Sequence, residues 1–139
     1  MCIRDSGSGD GRILVAMASR GCYSIGIEID RKLIKKSLKK IRKLNHNIDI
    51  IWGDMFYHPL RRVDIVYTFL DEKAMKLLRQ DLEEMIGKGT KVVSLTYRIP
   101  GRKPALVLNA YDESILDPVR TLVGNLIDKL REYKIYVYM

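Results

Sequence analysis

Asp5-Ser6-Gly7-Ser8-Gly9-Asp10-Gly11-Arg12 sets three glycines at alternate positions between a strand-like start and a helix-like segment. Glycines in such a turn let a ligand approach the backbone without meeting side chains, and the amides of the following helix offer donors. On its own the pattern is weak, because many helix starts carry glycines. Glu28 raises its value. It ends the next strand-like run, about 20 residues on, where a carboxylate can accept both ribose hydroxyls in a nucleotide-binding fold.

The chain beyond that turn alternates short β-branched runs with helical patterns, which argues for βαβ units around a mainly parallel sheet. Residues 12–20 are helix-compatible and stop at Gly21, and residues 23–29 (YSIGIEI) read as a buried strand. Asp30 is placed to cap a helix whose apolar face is Leu33, Ile34, Leu38, Ile41 and Leu44. Residues 47–52 (NIDIIW) form a third strand closed by Gly53-Asp54, and residues 63–69 (VDIVYTF) a fourth. Residues 71–86 form an amphipathic helix with Ala74, Leu77, Leu78, Leu82 and Met85 on one side. Strands are expected at residues 91–97, 105–110 and 135–138, with a largely helical stretch at 113–132. The expected fold is α/β, a doubly wound Rossmann-like sheet within one domain, because 139 residues suffice for one core but not two. Only residues 1–5 remain to feed the glycine turn, and Cys2-Ile3-Arg4 puts a charge where apolar residues belong. A truncated first strand, with a preceding segment missing, is therefore expected.

Which cofactor fits follows from charge. Dinucleotide folds favour GxGxxG, whose turn brings pyrophosphate to a helix N-terminus. Here the pattern is GxGxG, without a pyrophosphate-binding basic residue in the turn. Asp10 inside the loop would repel phosphates but tolerate a cationic amino-acid moiety or a sulfonium. Asp54 follows the third strand, where it can accept from an exocyclic adenine amine while the Met55 amide faces a ring nitrogen. These features point to S-adenosyl-L-methionine. Its expected binding set is Asp5, Gly7, Ser8, Gly9, Gly11, Arg12, Glu28, Ile29, Asp54 and Met55.

Composition bounds the setting. The net charge is +8, with much of the excess in Arg31, Lys32, Lys35, Lys36, Lys39, Lys40, Arg42 and Lys43. Such a run can steer towards nucleic acid or acidic protein, although a solvated helix face is the simpler reading. Cys2 and Cys22 make neither a disulfide framework nor a metal site, so the expected compartment is reducing and cytoplasmic and no metal is expected. No apolar run approaches the roughly 20 residues that span a bilayer. His46 and His58 read as loop residues.

Asp-x-Gly-Ser-Gly-Asp-Gly-Arg at 5–12, Gly26-Ile27-Glu28-Ile29-Asp30, Gly53-Asp54-Met55-Phe56 and Val92-Val93-Ser94 with Ile99-Pro100-Gly101 resemble the archaeal broad-specificity protein-lysine methyltransferases. Mitochondrial lysine methyltransferases carry similar motifs. The likeness runs from Asp5 to about Gly101. It implies a class I methyltransferase with a seven-stranded, mainly parallel sheet, an antiparallel final strand, and transfer to lysine side chains on proteins. The family's fourth-strand motif resembles Thr-Leu-Tyr-Leu, whereas this chain reads Tyr67-Thr68-Phe69-Leu70, so Phe69 replaces the expected tyrosine hydroxyl unless Tyr67 or Tyr97 supplies it from nearby. Tyr67, Thr68, Phe69 and Tyr97 are the expected substrate-channel residues, and the chain is expected to act as a monomer. The alternatives are an RNA or DNA methyltransferase and a cofactor-binding module without turnover. Residues 64–71 lack the proline-containing turn typical of amino-directed base methylation.

Overall fold

A computed structural model of the chain describes residues 1–43, 47–58, 62–109 and 133–139. Seven strands and three helices occur among the described residues. They are β1 (Cys2–Ser6), α1 (Arg12–Ala18), β2 (Tyr23–Glu28), α2 (Arg31–Ile41), β3 (Ile48–Trp52), β4 (Ile65–Thr68), α3 (Glu72–Gly87), β5 (Lys91–Leu95), β6 (Leu106–Asn109) and β7 (Lys134–Tyr138). The strands form one sheet in the order β3-β2-β1-β4-β5-β7-β6. Met1–Thr68 and Phe69–Met139 each form a compact unit.

In the first unit every strand pair is parallel. β1 pairs with β2 in the register Asp5↔Gly26 and with β4 in the register Asp5↔Tyr67, while β2 pairs with β3 as Glu28↔Trp52. The unpromising first strand is formed, over five residues, and is hydrogen-bonded on both edges. Its charge is accommodated because Arg4, buried in the sheet, donates from Nη2 to the carbonyl of His58 at 3.0 Å. Chain order reverses at β1, with β2 on one side and β4 on the other. Ligands of open α/β sheets bind at such a switch point, beyond the carboxyl ends of the strands.

The helices start where the sequence supplies caps. The Asp30 carboxylate accepts from the Lys32 amide at 2.7 Å, and that of Asp71 from the Ala74 amide at 2.8 Å. Which faces they bury differs in part from the periodicity. In α2 the fully buried residue is Ser37, while Leu38 is exposed. In α3 Leu78, Leu82 and Met85 are buried as expected, but Leu77 is exposed and Met75 takes its place.

The second unit is antiparallel around β7, which pairs with β5 on one edge and β6 on the other. β5 stops at Leu95, two residues before its expected end. Thr96 has φ of 74°, and Tyr97 N–H donates back to the Leu95 carbonyl at 2.9 Å, a tight turn that ends the ladder. The helical stretch expected at 113–132, together with Ala110, Leu44 and His46, lies outside the described residues.

Candidate cofactor site

The glycine turn is held by its neighbours before any ligand is considered. Gly7 and Ser8 both donate their amides to the Ile27 carbonyl at 3.0 Å, so the turn folds back over the end of β2. Gly7, Gly9 and Gly11 have φ of 78°, 56° and 77°, a conformation that costs glycine nothing and other residues roughly 1–2 kcal/mol. A side chain on Gly9 would meet no atom within 4 Å, which leaves the approach to its backbone open. A side chain on Gly11 would come within 2.8 Å of Ser37 Oγ, because α2 packs closely there.

Glu28, buried at the end of β2, ties three backbone segments together. Its Oε2 accepts from the Gly9 amide at 2.8 Å, and its Oε1 accepts from the amides of Ile29 (2.9 Å) and Asp30 (2.8 Å). Asp5 is buried nearby, and desolvation, with the Glu28 charge adding to it, pushes its carboxyl up to about 7. About half of the Asp5 carboxyl is therefore still protonated near neutral pH.

The third corner is the turn after β3. Gly53 N–H donates to the Glu28 carbonyl at 3.0 Å, which joins this turn to the end of β2. Asp54 Oδ1 accepts from the Phe56 amide at 3.0 Å. His58 packs so tightly against Gly53 that a side chain there would lie 2.1 Å from its Nε2. Ile29 and Trp52 are exposed beside it. Trp52 Nε1 donates to the Ile29 carbonyl at 3.2 Å, and the Arg31 guanidinium lies 3.9 Å from the indole centroid.

Nearly all the expected cofactor residues thus converge at the carboxyl ends of β1, β2 and β3. Arg12 is the one turned elsewhere. Its Nε and Nη2 bind both oxygens of Asp10, each at 2.9 Å. Lys40 binds the same carboxylate at 2.5 Å. The Arg12 hydrogen bond, reinforced by Lys40, holds Asp10 well below the usual carboxylate range. The acid expected to repel phosphate is therefore neutralised by two cations and serves to tie the loop to α2. Of the expected channel residues, Tyr67 and Thr68 end β4 in the first unit, Tyr67 half-buried and Thr68 fully buried. Phe69 and Tyr97, both exposed, belong to the second unit, where Phe69 lies 6.1 Å from the Tyr133 ring.

The sequence model of the ANTKMT methyltransferase domain matches residues 5–106. The chain belongs to this family. It is 30% identical over 114 residues to the protein-lysine N-methyltransferase of Saccharolobus islandicus (strain REY15A), an overlap of 79% of this chain and 71% of that protein. The RNA methyltransferase from Salinibacter ruber, solved with S-adenosyl-L-homocysteine, aligns with TM-score 0.75 at 22% identity over 99% of this chain and 78% of its own. The geranyl diphosphate C-methyltransferase from Streptomyces coelicolor A3(2) aligns at 0.65 and 13% identity, covering 99% and 68% respectively. At such identities these two likenesses concern the fold alone. As a member of the ANTKMT family the chain is a methyltransferase that uses S-adenosylmethionine on a Rossmann-like sheet.

The residues present suit that cofactor. The open face over Gly9 admits a ligand against the backbone, and the buried acids suit a cationic sulfonium better than a pyrophosphate. Periodicity could not have found Ser37, Lys40 or His58. A serine inside a lysine-rich helix carries no pattern, and His58 had only its proximity to Gly53-Asp54 to mark it.

Proposed function

We propose that this methyltransferase domain acts on lysine side chains of proteins, with Tyr67 and Thr68, at the end of β4, beside the path of the amine. The observation that carries this reading is the 30% identity to a protein-lysine N-methyltransferase across 79% of the chain. The hydroxyl-bearing and aromatic residues where β4 ends support it.

In this reading Glu28 accepts from the ribose hydroxyls and the Asp54 carboxylate from the adenine amine. The loop from Gly7 to Gly11 borders the amino-acid end, with Ser8, Ile29 and Met55 completing the set. When bound, S-adenosylmethionine supplies a methyl group on a sulfonium, open to in-line attack by a neutral amine. The work left to the protein is alignment and removal of water.

A lysine amine, with pKa near 10.4 in water, is mostly protonated at neutral pH and must lose that proton. Desolvation against Tyr67 favours the neutral form. Tyr67 is not the base. Burial, with the Asp5 charge adding to it, raises its phenol far above the usual tyrosine range, so it stays protonated. Its phenolic oxygen accepts a hydrogen bond from an N–H of the incoming amine, which leaves the nitrogen lone pair free to attack, and the proton lost by the lysine leaves to water.

An acceptor series tests this. With a lysine peptide, kcat/KM should rise about tenfold per pH unit below the amine's pKa, and the same peptide with arginine should remain unmodified. Equal transfer to the arginine peptide, or a flat profile between pH 6 and 9, would contradict the proposed channel. No helix among the described residues is long and apolar enough to cross a bilayer.

A further inference from the structure

With a ribose diol bound, Glu28 would have more partners than one carboxylate can keep. An ionised carboxylate offers about four lone-pair sites, and three are taken by the amides of Gly9, Ile29 and Asp30. A ribose diol presents two hydroxyls. Oε1 already accepts twice, from adjacent residues that leave β2 for the α2 cap, so its partners are fixed by the chain itself. Oε2 accepts only from Gly9. Gripping both hydroxyls therefore crowds Oε2, and the Gly9 amide is the partner that must yield.

What then keeps the loop in place is on its other side. The Ser37 hydroxyl, fully buried in the middle of α2, donates to the Gly9 carbonyl at 3.0 Å. One turn further along α2, Lys40 reaches the Asp10 carboxylate. The contact between Ser37 and Gly11 is close enough that only glycine fits beneath the helix. Gly9 is thus held through its amide by Glu28 and through its carbonyl by α2.

We propose that Ser37, assisted by Lys40, is a positioning residue for the cofactor, keeping the Gly9–Gly11 backbone in shape while Glu28 turns from the loop to the ribose. The inference rests on the ribose role of Glu28. Ser37 touches no reacting atom. Its loss should weaken cofactor binding and leave the chemical step, once the site is filled, nearly unchanged. A buried serine of β2, Ser24, provides the control, because its hydroxyl has no hydrogen-bond partner.

The test is calorimetric titration of the full chain with S-adenosylmethionine, paired with steady-state kinetics. Ser37→Ala should bind about tenfold more weakly, the loss expected for one hydrogen bond worth about 1.4 kcal/mol. Its KM for the cofactor should rise in step while kcat at saturation stays within about twofold. Lys40→Met should lose about threefold, and Ser24→Ala should match wild type. If Ser37→Ala does not fold, Ser37→Cys, which keeps the volume and donates weakly, is read in the same titration. Wild-type affinity in a folded Ser37 variant, or a loss confined to kcat, overturns the proposal. Wild-type affinity in Glu28→Gln would instead overturn the ribose reading beneath it.

Discussion

Asp5 sits in the middle of the sheet with its carboxyl pushed up to about 7, chiefly by desolvation and secondarily by the Glu28 charge. Between pH 4 and 7 the unfolded chain releases the Asp5 proton while the folded protein keeps it. The unfolded state then binds fewer protons, so this residue makes stability fall as pH rises through that window. The limiting slope is roughly 1.4 kcal/mol per pH unit. Asp5→Asn should flatten that fall and be more stable than wild type above pH 7, as read by urea unfolding at pH 5, 6, 7 and 8. Thr96 is a second strained point. A β-branched residue at φ of 74° costs of order 1–3 kcal/mol, and its buried Oγ1 has no hydrogen-bond partner. Thr96→Gly relieves both and should not lower the melting temperature, although glycine in a strand-end position ordinarily destabilises. At this scale the sequence was readable where spacing carries meaning. Gly7, Gly9, Gly11, Glu28 and Asp54 could be placed together because strand ends bring them together. The pairing of Asp10 with Arg12 and Lys40 could not, because a charge in a loop does not disclose its partners.

At the scale of elements, the glycine turn and α2 form one device. The periodicity of α2 predicts an apolar stripe through Leu33, Ile34, Leu38 and Ile41, yet Leu38 is exposed and Ser37 is fully buried. The helix is rotated so that its smallest side chain meets the glycine loop, since a leucine there could not pass Gly11 at that distance. Loop packing has overridden the hydrophobic pattern. α3 shows the same limit more mildly, because Met75 and Leu77 differ by two positions and periodicity alone does not choose between them. These burial assignments separate cleanly in a stability measurement. Leu77→Gln and Leu38→Gln should change unfolding free energy by less than about 0.5 kcal/mol. Leu82→Ala, which opens a cavity beneath α3, should cost about 2–5 kcal/mol. Comparable losses at Leu77 and Leu82 would mean that α3 is turned the other way.

For the whole molecule, the alternation of strand and helix patterns was enough to give the doubly wound sheet, and β7 runs antiparallel to both its neighbours as the family resemblance implied. The least legible strand was β1, because Arg4 looks wrong for a central strand until the His58 carbonyl that receives it is known. Family membership establishes S-adenosylmethionine as the cofactor, and the glycine turn with Glu28 is the proposed seat for it. The acceptor is the remaining step, and it is open to direct measurement. The purified chain is incubated with methyl-labelled S-adenosylmethionine and whole-cell protein extract, and the modified peptides are located by mass spectrometry. The label should appear on lysine ε-nitrogens and persist after ribonuclease treatment. Label confined to RNA, or carried by arginine, would contradict the account, as would a chain that binds the cofactor and transfers nothing.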